Sequence, residues 1–370
     1  MYLDMPIIFA LQRRFPRATV YCPLVGLTAM CLTLATSSFS QTTTHLIATQ
    51  GVLYAIFGSV TYAPCILYLE EWFVRRKGFA YGVMWAGTGT GGFALPLLME
   101  HFLGQYGFRT TLRIWAVVVF VLTAPLTFFI KPRLPISANT HTKPYKLRFL
   151  LQPTFLLYQT ASIVEAAGYF LPTIYLPTYA RSILGAGSLQ SALTVLLIHV
   201  TSAVGIIVMG FMTDRLHVTT CIMISTVGAV VGVFLFWGFA TNLALLYSFC
   251  VIYGLFAGSY VSTWPGIMKQ VVMASHPPLQ DQILNDRDGT GAIAISAIDP
   301  IMVLAFLTAG RGVGNLVSGP VSEALILGLP WKGTAIGAWG SGYGTLVLFT
   351  GTTAVAGGAT FIWKRFGWLK

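Results

Sequence analysis

Residues 66–99 read ILYLEEWFVRRKGFAYGVMWAGTGTGGFALPLLM. An apolar run closes on Glu70 and Glu71, a basic cluster of Arg75, Arg76 and Lys77 follows, and a second apolar run begins at once. Crossing about 30 Å of hydrocarbon takes about 20 helical residues, and the runs on both sides of this cluster are long enough. The charged and aromatic residues between them have no place as lipid-exposed backbone, so the stretch predicts two membrane helices joined by a tight interfacial loop. Its basic residues place that loop on the cytoplasmic side.

The rest of the chain repeats this unit. Of 370 residues, 55% are hydrophobic and only 9% charged, with a mean hydropathy of +0.74. That is too little charge to clothe a soluble globule, which makes the expected fold class all-α, a polytopic membrane bundle. The net charge of +11 does not imply nucleic acid, because the basic residues sit in short loops rather than on one soluble face. Cys22, Cys31, Cys65, Cys221 and Cys250 fall singly, without CxxC spacing. They read as packing residues, and with no histidine cluster at ligand spacing, neither metal nor cofactor is expected. The opening MYLDMPIIFALQRRFP lacks the long apolar core and cleavage site of a signal peptide, so insertion is expected to rely on internal spans.

About ten spans are expected, at roughly 18–39, 46–69, 78–103, 110–130, 154–180, 189–212, 218–239, 243–267, 300–327 and 340–363. An even number puts both termini on one side. Loops on that side carry 17 of the 22 Lys and Arg residues, while the opposite loops hold Arg109, Arg113, Arg181 and Lys332, and Arg311 lies inside a span. Both termini are therefore expected in the cytoplasm. The longest basic connection divides the chain into an N-terminal half of four spans (1–130), a linker (131–152) and a C-terminal half of six (153–370). Symmetric carriers have six and six, so two helices of the first half are expected to lie outside this sequence.

Small residues such as Gly87, Gly91, Gly205 and Gly210 are expected to let helices approach closely, and Pro64, Pro96, Pro125, Pro172, Pro177, Pro265 and Pro320 to kink or end them. Gly87, Gly89 and Gly92 fit a GxGxxG pattern, but they stand in a membrane span with no preceding buried strand. Helix packing explains them better than a dinucleotide, and Gly310, Gly312 and Gly314 read the same way. The run Gly210-Phe-Met-Thr-Asp214-Arg215 ends a span on the cytoplasmic side, where its carboxylate is suited to hold a neighbouring helix terminus. A solvated capping pair is the plainer reading.

Ionisable groups deep in a span are costly, and three stand out: Glu165, His199 and Arg311. Glu165 and Arg311 each lie about ten residues into spans entered from the same side, roughly 15 Å deep. Equal depth permits an ion pair, either purely structural or one in which Arg311 holds an anionic group while Glu165 exchanges a proton. His199 reads more simply as a histidine hydrogen-bonded within the bundle. The sequence carries no HExxH, no GxSxG and no paired carboxylates in one span, so no enzyme is expected.

GFMTDR (210–215) with a basic central linker resembles the major facilitator superfamily. LYLEEWFVRRKGFAYGVMWAGTGTGG (67–92), GYFLPTIYLPTYA (168–180) and AGRGVGNLVSGPVSEAL (309–325) resemble, more narrowly, its fungal monocarboxylate-permease-like branch. The resemblance implies that the ten spans correspond to helices three through twelve. It also implies a first-helix lysine that this sequence does not contain and an eighth-helix Asp–Arg pair where Ser202 and Ile206 stand, so those roles do not carry over.

The expected function is secondary transport of a small organic solute, such as a monocarboxylate or other organic anion moved with protons, by alternating access. A transport-inactive membrane scaffold is the alternative. Candidate solute contacts are Tyr62, Trp85, Glu165, Tyr169, His199, Tyr260, Trp264, Arg311 and Asn315, and the candidate conformational latch is Glu70, Glu71, Arg75, Arg76, Asp214 and Arg215. The partners expected are a small solute, protons and the lipid bilayer, with the plasma membrane or the vacuolar membrane as location.

Overall fold

The computed structural model of the chain describes residues 1–133, 147–275 and 298–368, and every regular element among them is helical. Most of the expected linker, with Lys143 and Lys146, lies outside the described residues, as do Arg287 and Lys370. The described residues divide into two compact units, one of residues 1–75 and 94–133, the other of 76–93, 147–275 and 298–368.

Among the described residues, seven helical runs are long and apolar enough to cross a membrane. The expected ten follow from three local features. The run Lys77–Thr127 is two helices, because Gly107 has φ 69° and ψ 171°, a conformation that glycine reaches without a Cβ penalty. We number them α4 (77–106) and α5 (108–127), after α1 (Met5–Arg14), α2 (Cys22–Ser37) and α3 (Tyr54–Trp72). The apolar helix α2, of 16 residues, falls short of the length of the seven and is a further span. The fifth expected span is a pair, α6 (Pro153–Tyr169) and α7 (Leu171–Ser182), interrupted at Phe170 where Pro172 enters the first turn of α7. The remaining helices are α8 (Ser188–Thr213), α9 (Val218–Val231), α10 (Leu243–Phe256), α11 (Trp264–Ser275), α12 (Pro300–Ile326), α13 (Gly344–Gly357) and α14 (Thr360–Arg365).

In the first unit, Gln12 donates to the Val60 carbonyl at 3.0 Å and Ser59 to Asp4 at 3.0 Å, tying α1 to α3. Arg113 on α5 donates to the Ser38 hydroxyl at 2.9 Å, with its guanidinium 4.6 Å from the Phe39 ring. Val117, Val121, Leu122 and Leu126 on α5 are all exposed, which suits a surface meeting acyl chains rather than water.

In the second unit, α6 and α12 run parallel. Gln159 donates to the Phe306 carbonyl at 2.8 Å, and on α7, the second half of the same span, the Tyr175 hydroxyl meets Ser322 at 2.9 Å. Both pairs are 147 residues apart, a constant offset that only parallel helices keep. Lipid tails are as apolar as leucine, so close van der Waals contact and interhelical hydrogen bonds hold such helices together. Accordingly Gly310 and Gly314 sit where a Cβ would fall on Gln159 and on the Ile163 carbonyl. Helix α8 packs on α10 in the same way, with Gly205 against the Leu255 carbonyl.

Candidate functional site

Arg311 stands between the two contact glycines of α12, so the helix face that approaches α6 most closely carries the guanidinium to it. Its Nη1 donates to Glu165 Oε2 at 2.7 Å, and the two side chains are only 2% and 9% exposed. The same guanidinium lies 4.5 Å from the Tyr169 ring centre, a cation–π position that partly replaces lost hydration. Tyr169 is the last residue of α6, and the Tyr253 hydroxyl donates to its carbonyl at 2.9 Å while the two rings stack 6.3 Å apart. The interruption at Phe170 therefore costs no orphaned acceptor at Tyr169. A buried ion pair beside a discontinuous helix is an arrangement suited to binding charge inside a membrane.

On the other side of Glu165 lies a small pocket bounded by α6, α9, α10 and α13, lined among others by Tyr169, Ser225, Tyr253, Tyr260 and Thr350. It has room for about one water molecule. One turn along α12 from Arg311, the Asn315 side-chain oxygen is buried without a hydrogen-bond partner, as are Tyr260 OH and Trp264 Nε1. Trp264 meets Trp85 edge-on at 5.7 Å, and Trp85 in turn packs on Tyr81.

A second cluster lies where α4 begins. Gly78, Gly82, Gly89 and Gly92 line one face of α4, against Gly210, Ile206, Ala203 and His199 of α8 in descending order, so the two helices are antiparallel. The expectation that Gly87 serves close approach is corrected: a Cβ on Gly87 would meet nothing within 4 Å. Two residues correspond to about 200° of helical turn, so Gly87 cannot share a face with Gly89. The ring of His199 covers Gly92 and belongs to this contact rather than to the Arg311 pair.

At the α4 N-terminus, the Gly78 and Phe79 amides donate to Asp214 Oδ1 and Oδ2 at 2.7 and 2.8 Å. Arg76, in the N-cap position with φ 57°, offers no such acceptor of its own, so a carboxylate from another helix caps α4. The neighbouring Arg215 lies over the Phe211 ring at 4.1 Å. His217 then caps α9, its Nδ1 accepting from the Thr219 amide at 3.2 Å. Burial and the charge of Lys364 hold this imidazole below its usual value, which keeps the capping nitrogen an acceptor.

Residues 5–278 match the family described as Major Facilitator Superfamily. The chain belongs to that superfamily. It is thus a multi-pass integral membrane protein of a transporter family, not an enzyme, and members of the superfamily move small solutes across the bilayer. Among similar proteins is the MFS transporter asaE of Aspergillus flavus, 25% identical over 335 residues, covering 90% of this chain and 68% of that protein. Monocarboxylate transporter 12 of Xenopus laevis is 29% identical over 274 residues, covering 66% of this chain and 59% of its own length. The MFS-type transporter pynF of Aspergillus niger matches at 25% identity over 69% of this chain and 57% of itself. The chain thus spans little more than half to two thirds of these relatives. The human organic anion transporter MFSD10 has the same fold, with a TM-score of 0.63 and 13% identity over 98% of this chain and 80% of that one.

In this facilitator fold the expected contacts do not form one cluster. Glu165, Arg311 and Tyr169 touch; Trp85 and Trp264 touch; Asn315 and Tyr260 bring buried polar atoms; and His199 belongs to the α4–α8 contact. Tyr62, on α3, is part of the first unit. So is Glu71, whose carboxylate and carbonyl accept from the Arg133 backbone and side chain at 3.1 and 3.2 Å; Glu70 and Arg75 precede the point at which the chain passes to the second unit. Sequence reasoning missed Tyr253, Thr350 and Gly357. Only the last left a signal, as a small residue late in a span, where a Cβ would lie 2.8 Å from Glu165 Cβ.

Proposed function

We propose that the chain is a secondary carrier for a small organic anion, moved with protons by alternating access of two helical halves. Arg311 is the anion-binding cation, Glu165 the proton-exchanging group, and Tyr169 the aromatic wall, with Tyr260, Trp264, Trp85 and Asn315 orienting the solute body. The observation that carries this reading is the 2.7 Å pair of Glu165 and Arg311 deep in apolar helices, where a charge is rarely kept without use. Similarity to monocarboxylate transporter 12 supports an anionic solute. The parallel course of α6 and α12 supports the alternation of spans read from the sequence; the basic loops put both termini in the cytoplasm, and the plasma membrane is the proposed location.

The test is uptake of labelled short-chain and aromatic monocarboxylates into proteoliposomes, with and without an inward proton gradient. Gradient-driven uptake that becomes insensitive to pH in Glu165→Gln supports the reading; equal uptake by protein-free vesicles across the panel removes it.

Asp214 is the proposed latch at the cytoplasmic end; Arg76 and Arg215 are the other proposed latch residues of the second unit, and Glu70, Glu71 and Arg75 those of the first. Asp214→Ala removes both acceptors from the α4 amides, and losing such a cap costs about 1 kcal/mol. Hydrogen–deuterium exchange of the peptide containing Gly78 and Phe79 should then quicken about fivefold to tenfold. Unchanged exchange would mean that the capping bonds carry no load.

A further inference from the structure

Glu165 has two neighbours that make different demands on it. Arg311 attracts the carboxylate as an anion. The pocket on its other flank offers no charge, but it is lined by two hydroxyls, Tyr260 OH and Thr350 Oγ1, that are buried without hydrogen-bond partners. Their residues are 2% and 1% exposed. Leaving a buried hydroxyl unsatisfied costs about 1–3 kcal/mol, and two lining one water-sized space beside a carboxyl suggest a conformation in which they are satisfied. A neutral carboxyl has one O–H to donate and a C=O to accept, which matches a pair of hydroxyls. Gly357 leaves the stem of Glu165 room to turn, since any Cβ there would lie 2.8 Å from Glu165 Cβ and 3.2 Å from Cγ.

We propose that this pocket is the seat of the neutral Glu165 carboxyl: on gaining a proton, Glu165 leaves Arg311 and hydrogen-bonds Tyr260 and Thr350. A hydronium ion of the medium gives the proton: its O–H bond breaks as the carboxyl O–H bond forms, a neutral water molecule leaves, and no other covalent bond changes. The ionisable groups around Glu165 are Arg311 from α12, Tyr169 from its own helix, and Tyr253 and Tyr260 from α10 and the turn after it, with Tyr158 beyond them. Helices α9 and α13 bring no ionisable side chain to the pocket, only the hydroxyls of Ser225, Thr226 and Thr350 beside Ala229 and Ala354. The seat itself is independent of what the protein carries. Its consequence, an Arg311 open to a solute carboxylate, rests on the function proposed above.

Infrared difference spectra of the purified protein in lipid, taken as pH is lowered, test the seat directly. A carboxylic C=O band that disappears in Glu165→Gln identifies the protonated group. In Tyr260→Phe and in Thr350→Val that band is expected at higher frequency, because each substitution removes one hydrogen bond. The isosteric Tyr260→Phe decides the matter alone if Thr350→Val does not fold. A Glu165 band at the same frequency in Tyr260→Phe as in the native protein, or no such band at any pH at which the protein stays folded, overturns the proposal. Adding 13C-labelled acetate at fixed pH is expected to increase the band, and Tyr260→Phe to raise the acetate needed about tenfold, the equivalent of one hydrogen bond. A band that shifts in the variants but ignores acetate upholds the seat and counts against the anion reading.

Discussion

Arg311→Met is expected to abolish uptake and to destabilise the folded protein by about 3–5 kcal/mol, the usual cost of leaving one partner of a buried ion pair alone. The cost falls on Glu165, 8% exposed, whose carboxylate would lose its 2.7 Å donor inside an apolar bundle. Thermal unfolding in detergent reads the stability and proteoliposome uptake the activity. The double variant Glu165→Leu with Arg311→Met separates two roles that the single variant confounds. Replacing a buried pair with apolar side chains of similar volume is often neutral or stabilising, so the double variant should regain most of the lost stability while remaining inactive. Recovery of both stability and uptake would show that the pair only braces the bundle.

That Glu165 and Arg311 could meet was legible because both are ionisable residues in a chain that has almost none inside its spans, and counting residues from the starts of their helices placed them at one depth. Helix positions were legible for a similar reason: in lipid the backbone must satisfy itself, and long apolar runs have few other structures open to them. What the sequence did not disclose is azimuth. Gly87 and Gly89 look alike in a string, yet Gly89 packs on Ala203 and the His199 carbonyl while Gly87 meets nothing. Apolar residues surround these helices on all sides, so no polar stripe marks which face turns inward. Tyr253 escaped notice on the same account. Its hydroxyl matters because α6 breaks at Phe170 and frees the Tyr169 carbonyl, and a break with helical φ and ψ leaves little trace in sequence beyond Pro172.

Azimuth is also what the contact glycines control, and Gly314 gives the sharpest test. A methyl group there falls on the Ile163 carbonyl and lies 2.7 Å from Ala166 Cβ, and neither a backbone oxygen nor a Cβ can swing aside. Gly314→Ala must therefore move α12 away from α6 as a body, at a cost of about 1–3 kcal/mol for the overpacking. The separation is carried to Arg311 three residues earlier, so the 2.7 Å bond to Glu165 lengthens and uptake falls with stability. Gly87 on α4 is the control, since it is exposed and a Cβ there meets nothing within 4 Å. Gly87→Ala is expected to leave unfolding temperature and uptake unchanged or to raise stability by about 0.5–1 kcal/mol, through the better helix propensity of alanine alone. If the two variants unfold at the same temperature, close approach of α6 and α12 is not what brings the charges together. The pair would then have to be held by electrostatic attraction across a looser contact.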